Sequence, residues 1–208
     1  VLLLALSLGV FSGFVKGIVG FALPMILMSS LSMLVPVHTA LAALILPTVI
    51  TNYQQAREQG LLAAITSLKN HKIFLSIMLI MILGSAAVAP ILPQQSLTGI
   101  LGLLILSFSL FQISGIKFEI SHSNVSSKAA FGILAGFAGG LTGAFGPPTV
   151  AYLTALKTEK NEQMKVQAAI YGIGGILIFV GHTMSGIFNL RTAPFSALLI
   201  LPCICGFW

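Results

Sequence analysis

Gly13-Phe14-Val15-Lys16-Gly17-Ile18-Val19-Gly20-Phe21-Ala22-Leu23-Pro24 is followed 123 residues later by Gly136-Phe137-Ala138-Gly139-Gly140-Leu141-Thr142-Gly143-Ala144-Phe145-Gly146-Pro147. Glycine or proline coincides at 13/136, 17/140, 20/143 and 24/147, and phenylalanine at 14/137, without a gap. Both stretches lie inside long apolar runs, where glycine and proline weaken a helix. Interrupted membrane segments at matching places in two halves of a chain point to a transporter binding site.

Composition sets the class. Apolar residues make up 57% of the 208, charged residues only 7%, and the acids are Glu58, Glu119, Glu159 and Glu162 with no Asp at all. That is too little charge for a soluble surface, so an all-α membrane protein at the cell (inner) membrane is expected. The net charge of +6 is spread over loops and not interleaved with aromatics, which speaks for membrane topology and against nucleic acid. Cys203 and Cys205 form a C-x-C in an apolar run and read as small buried side chains, not a redox or metal site. The chain begins inside one apolar run and ends at Trp208 inside another. A fragment lacking a few residues in front and at least one helix behind is therefore expected, without a cleaved signal peptide.

Charge-free gaps divide the chain. The 40 residues between Lys16 and Arg57 and the 44 between Lys72 and Lys117 are each long enough for two spans, since one crossing needs about 20 apolar residues. Helices are expected near 1–30, 37–56, 73–90, 96–116, 128–156 and 164–187, with an incomplete one from about 194. The first and fifth are too long for simple crossings and are the two that carry the glycine motif. Strands are excluded by the lack of period-two alternation. If every segment crosses once, Arg57, Lys69, Lys72, Lys117, Lys128 and Arg191 share one side with the N-terminus, which the positive-inside rule places in the cytoplasm. A hairpin in segment five would instead invert the second half. The single crossing is favoured here, because Leu141 to Pro148 has no polar apex. The chain then consists of a first repeat at 1–116, a polar linker at 117–127 and an incomplete second repeat at 128–208, both in one orientation. Gly84, Gly99, Gly102 and Gly115 lie in charge-free scaffold helices.

At helical spacing, 13, 17, 20 and 24 share a face, as do 136, 140, 143 and 147. Close helix packing explains such a stripe without any ligand. Three features add to it. Each stripe ends in proline, which breaks the helix and leaves N–H groups that suit an anion. Lys16 lies on the first stripe, far from either end of its segment and with no acid nearby in sequence; snorkelling to the interface is the plain alternative. The second copy has Gly139 in place of Lys16, with the Thr142 hydroxyl close by, as one shared site between two halves would require. The candidate substrate-binding residues are Lys16, Gly17, Gly20, Pro24, Thr142, Gly143, Gly146 and Pro147. Asn52 joins them, although its position also suits helix termination at the interface. His182 is the intramembrane group with an ordinary titration near neutrality and is the proton-coupling candidate, set against a plain inter-helix hydrogen bond. His38, His71 and His122 are assigned no role.

These same residues resemble the sulfite exporter TauE/SafE family, whose relatives include toluene sulfonate uptake permease-like transporters. Its members carry a duplicated four-helix unit with G-x-x-x-G-x-x-G…P opening each half. The resemblance runs through Gly13-Phe14-Val15-Lys16-Gly17 and Gly146-Pro147-Pro148 and covers essentially the whole chain. Phe21-Ala22-Leu23 and Ala144-Phe145 depart from the denser glycine run of many members, and the eighth helix is absent. The resemblance implies a secondary carrier of small sulfur-containing or organic anions, such as sulfite or sulfonates, coupled to the proton-motive force. Expected partners are the anion and membrane lipid, with self-association left open; no cofactor and no metal are expected. A non-transporting scaffold and a thiol enzyme using Cys203 are the competing readings. No H-E-x-x-H, no intramembrane acid and no nucleophile–base pair supports enzymatic chemistry.

Overall fold

The computed structural model describes residues 2–114, 119–121 and 123–208; Gly115, Lys117 and His122 therefore lie outside the described residues, as does part of the 117–127 linker. The described chain is helical, without strands: α1 (Leu2–Val19), α2 (Leu23–Leu31), α3 (Val37–Glu58), α4 (Leu61–Ser67), α5 (Lys72–Val88), α6 (Gln94–Ser114), α7 (Val125–Thr142), α8 (Gly146–Ala155), α9 (Lys160–Met184), α10 (Ala193–Leu198) and α11 (Ile200–Phe207). Four stretches, Leu2–Val19, Leu61–Ile91, Gln94–Ser114 and Lys160–Met184, are long and apolar enough to cross a membrane. The 22-residue α3 is not among them, because Thr48, Thr51, Asn52 and Gln55 dilute its hydropathy. All four are buried, so protein and not lipid surrounds them.

The expected first and fifth segments are each two helices. α1 ends where Gly20 turns to φ +80°, its N–H donating to the Lys16 carbonyl at 2.7 Å. α7 ends the same way at Gly143, with φ +75° and a 2.8 Å bond to the Gly139 carbonyl. Left-handed glycines close helix C-termini because they have no Cβ to clash. Pro24, and Pro147 with Pro148, then sit in the first turns of α2 and α8, where a missing N–H costs nothing.

Each broken segment folds back and does not cross. The Ile120 N–H donates to the Ala155 carbonyl at 2.9 Å, and Glu119 pairs with Lys157 at 2.7 Å. The end of α8 has therefore returned to the end of the bundle where α7 starts. Tyr152 of α8 confirms this, lying 5.9 Å from the Phe131 ring early in α7 and stacking on Phe74 early in α5 at 4.2 Å. This corrects the single crossing expected from sequence. A polar apex is unnecessary, because the Thr142 hydroxyl accepts from the Ala144 N–H at 3.3 Å and the two hairpin tips cover each other.

The first hairpin opens the other way. Gln55, near the end of α3, donates to the Gly20 carbonyl at 2.9 Å, whereas α2 leads within five residues into the start of α3. Two ends of the bundle follow. One gathers Arg57, Lys69, Lys72, Lys128, Lys157, Lys160 and Lys165, with Lys128 reaching the Asn70 carbonyl. The opposite end holds the starts of α1 and α3 and the 185–192 loop with Arg191. The two hairpins thus enter from opposite ends of the bundle.

The glycine stripes do serve packing. α1 lies on α11 and α7 on α5, so each stripe packs against a helix of the other half. A Cβ at Gly13 would collide with the Cys203 carbonyl, and one at Gly136 with that of Met78. The stripe also begins one turn earlier than the motif, at Gly9 and Gly132. α3 and α9 pack together between these pairs. We expect Glu119→Cys with Lys157→Cys, in a Cys205→Ser background, to cross-link efficiently through a short bis-thiol reagent. A chain that stays uncross-linked when folded would refute the returning α8.

Candidate functional site

Lys16 occupies the last turn of α1 and is 1% exposed. It does not snorkel. Its ammonium donates to Thr51 Oγ1 at 3.0 Å and to Asn52 Oδ1, both on α3. Thr51 gives its own hydrogen to the Pro47 carbonyl at 2.7 Å, and Asn52 Nδ2 gives one to the Tyr171 carbonyl of α9 at 2.8 Å. These bonds leave both Thr51 Oγ1 and Asn52 Oδ1 as acceptors toward the lysine. The negative end of the α1 dipole gives partial relief, but no carboxylate is paired with Lys16. An unneutralised ammonium at this depth invites an anion.

The hairpin tips converge on this amine. Lys16, Phe21, Pro24, Asn52, Gly143–Pro147 and Tyr171 enclose a space of about 20 Å³. That volume admits roughly one water molecule and no larger ligand. Phe21 lies against Gly146, and Pro24 against Gly143. Toward the charged end a larger polar vestibule of about 330 Å³ opens, lined by Gly20, Gln55, Glu58, Lys160, Gln163 and Gln167 among others. Lys16 is the one described side chain that lines both spaces. A 370 Å³ hollow between α6, α7 and α8 is bigger but apolar, with Phe108, Phe131 and Pro148 in its wall, and offers an anion nothing.

The structure divides the sequence candidates. Pro24, Asn52, Gly143, Gly146 and Pro147 stand with Lys16 around the enclosed space. Gly17 does not: it packs on the Phe207 carbonyl and borders the vestibule. Gly20 is the hinge between the two spaces, with Gln55 Nε2 bonded to its carbonyl. Thr142 bonds the Ala138 carbonyl at 2.8 Å and caps its own helix, so its hydroxyl is not offered to a ligand. Asn52 is an interior ligand of Lys16 and not a helix-terminating residue. His182 is wholly buried and borders neither space; Gly140 faces its ring, but neither ring nitrogen makes a hydrogen bond.

The backbone is a poorer anion cradle than the sequence suggested. Of the first three residues of α8 only Gly146 has an N–H, because prolines follow. In α2 the Leu23 N–H is taken by the Phe21 carbonyl at 3.1 Å, and Pro24 has none. The fixed positive charge must therefore come from Lys16. Thr51, Gln55, Gln167 and Tyr171 were not singled out from sequence. For Thr51 and Gln55 the signal was the polar spacing 48, 51, 52 and 55 on α3, which marks one helical face turned away from lipid.

Paired broken helices thus meet at a buried lysine, in a bundle with helices of membrane length. The chain matches the family model described as Sulfite exporter TauE/SafE over residues 5–208, nearly its full length, and it belongs to that family. No curated protein and no solved structure matches it.

Asn52→Ala should destabilise the detergent-purified protein by roughly 1–3 kcal/mol, since it strands a buried ammonium and the Tyr171 carbonyl. Adding Lys16→Met should recover part of that loss in a thermal-unfolding double-mutant cycle. Strictly additive effects would contradict the bond.

Proposed function

We propose that this protein is a multi-pass secondary carrier of small sulfur-containing or organic anions, such as sulfite or sulfonates, in the cytoplasmic membrane. The observation that carries this reading is Lys16, buried without an acid at the point where two oppositely directed hairpins touch. Its ammonium supplies the attraction, the Gly146 N–H and the Asn52 amide supply orientation, and the vestibule supplies access. The two halves are inverted repeats of one unit, 1–116 and 128–208, and the site is exposed alternately as each hairpin moves together with the helix of the other half on which its glycine stripe packs. In this arrangement the end that gathers the lysines is cytoplasmic by the positive-inside rule, and the start of α1 is external. That reverses the orientation expected when every segment was taken to cross once. The enclosed space of about 20 Å³ is too small for sulfite, so an anion reaches the amine only when the hairpin tips part on the vestibule side.

A scaffold would gain nothing from a cation held this way. Proteoliposomes should take up or release labelled sulfite, sulfoacetate or methanesulfonate, and the flux should respond to a pH gradient. Lys16→Ala should reduce that flux at least to roughly the cost of a lost buried charge contact, a hundredfold or so, with unchanged membrane insertion. Undiminished flux in that variant would remove the assigned role.

A further inference from the structure

The ligands of Lys16 fit two protonation states. An ammonium has three N–H donors, and a neutral amine has two. Among the described residues, two protein acceptors take hydrogen bonds from the nitrogen, Thr51 Oγ1 and Asn52 Oδ1, and each is held in its accepting role by a bond made elsewhere. Loss of one proton therefore leaves every acceptor satisfied. Those two ligands are neutral and do not cancel a positive charge.

The surroundings do not cancel it either. The titratable and charged groups facing Lys16 are few. From α11 there is the Cys203 thiol, and from α9 the Tyr171 hydroxyl, which donates to the Gly146 carbonyl at 3.3 Å. Glu58 of α3 and Lys160 of α9 stand along the vestibule with opposite charges, and α2 and α8 contribute no ionisable group to the enclosed space. A charged lysine buried this completely pays a desolvation cost that neutral ligands offset only in part. A bound anion offsets that cost in the loaded carrier. In the empty carrier nothing on these helices does.

We propose that Lys16 itself carries the coupling proton, crossing as an ammonium with the anion and returning as a neutral amine. This rests on the carrier reading of the same site. The proton is taken from water on the side where the anion binds, forming the third N–H bond, and is released to water where the anion leaves. One proton and one monovalent anion then move in the same direction without net charge. The vestibule gives the nitrogen its water, since Lys16 borders both spaces. His182, which borders neither, is left out of the cycle.

The test uses purified full-length chain titrated with methanesulfonate, which has no proton to give near neutrality, in weakly buffered solution with a pH indicator. At about pH 8, proton uptake should approach one per anion bound in the parent protein and in His182→Gln alike. In proteoliposomes, Lys16→Arg, whose guanidinium stays protonated, should lower the ratio of pH-driven accumulation to anion exchange by about tenfold or more, whatever exchange it retains. Should Lys16→Arg fail to bind, the dye titration of the parent and His182→Gln decides alone. Binding without proton uptake, full accumulation by Lys16→Arg, or proton uptake lost in His182→Gln each overturns the proposal. The carrier reading survives those three outcomes, whereas a parent protein that binds no methanesulfonate counts against sulfonate carriage and this proposal together.

Discussion

The bond between Lys16 and the Thr51–Asn52 pair is the constraint around which the rest of the molecule is arranged. It joins the first hairpin to α3, and the Asn52 amide continues it to α9 through the Tyr171 carbonyl. Three helices are thereby tied to one nitrogen at a depth where an unsatisfied polar group is costly. α3 can carry four buried polar residues because α9, α2, α10 and α11 pack around it. Its low hydropathy follows from that burial, since a helix shielded from lipid need not be apolar throughout.

The glycines hold this arrangement without touching the site. Gly9, Gly13 and Gly17 let α1 lie almost backbone to backbone on α11, and Gly132, Gly136 and Gly140 do the same for α7 on α5. Lipid offers no hydrophobic drive for association, so close approach of this kind is what binds the helices. The partner of each stripe comes from the other half of the chain. The hairpin of one half therefore cannot shift without moving a helix of the other.

Much of this was legible in the residues. Charge-free gaps located the long helices to within a few positions but missed α4 and the division of the last segment into α10 and α11, while proline after glycine located both breaks, because these are local rules of backbone chemistry. The direction of the chain after each break was not legible. Leu141 to Pro148 offers no polar apex, and from sequence nothing shows that Phe21 and Gly146 cover one another's turn. The loops that share one end of the bundle followed from that choice, so one missed contact moved Lys157, Lys160 and Lys165 to the end that holds Arg57 and Lys128. At the site, Lys16 and Asn52 were found by their polarity in apolar surroundings. Thr142 was misjudged, because a threonine at a helix end serves its own backbone as readily as a ligand. Thr51 and Tyr171 escaped notice, since their roles depend on which helices become neighbours.

The two hairpin tips rest on different chemistry. Gly20 lies beside Gln55 and Gln167, within 3.3 and 3.6 Å of where a Cβ would be, whereas Gly143 lies against Leu44 and Pro24. One approach to the lysine is wettable and the other is oily. Water and ions find hydrogen-bond partners beside Gly20, whereas beside Gly143 the side chains of Leu44 and Pro24 offer a charged species none, so the amine is insulated on one flank and approachable on the other.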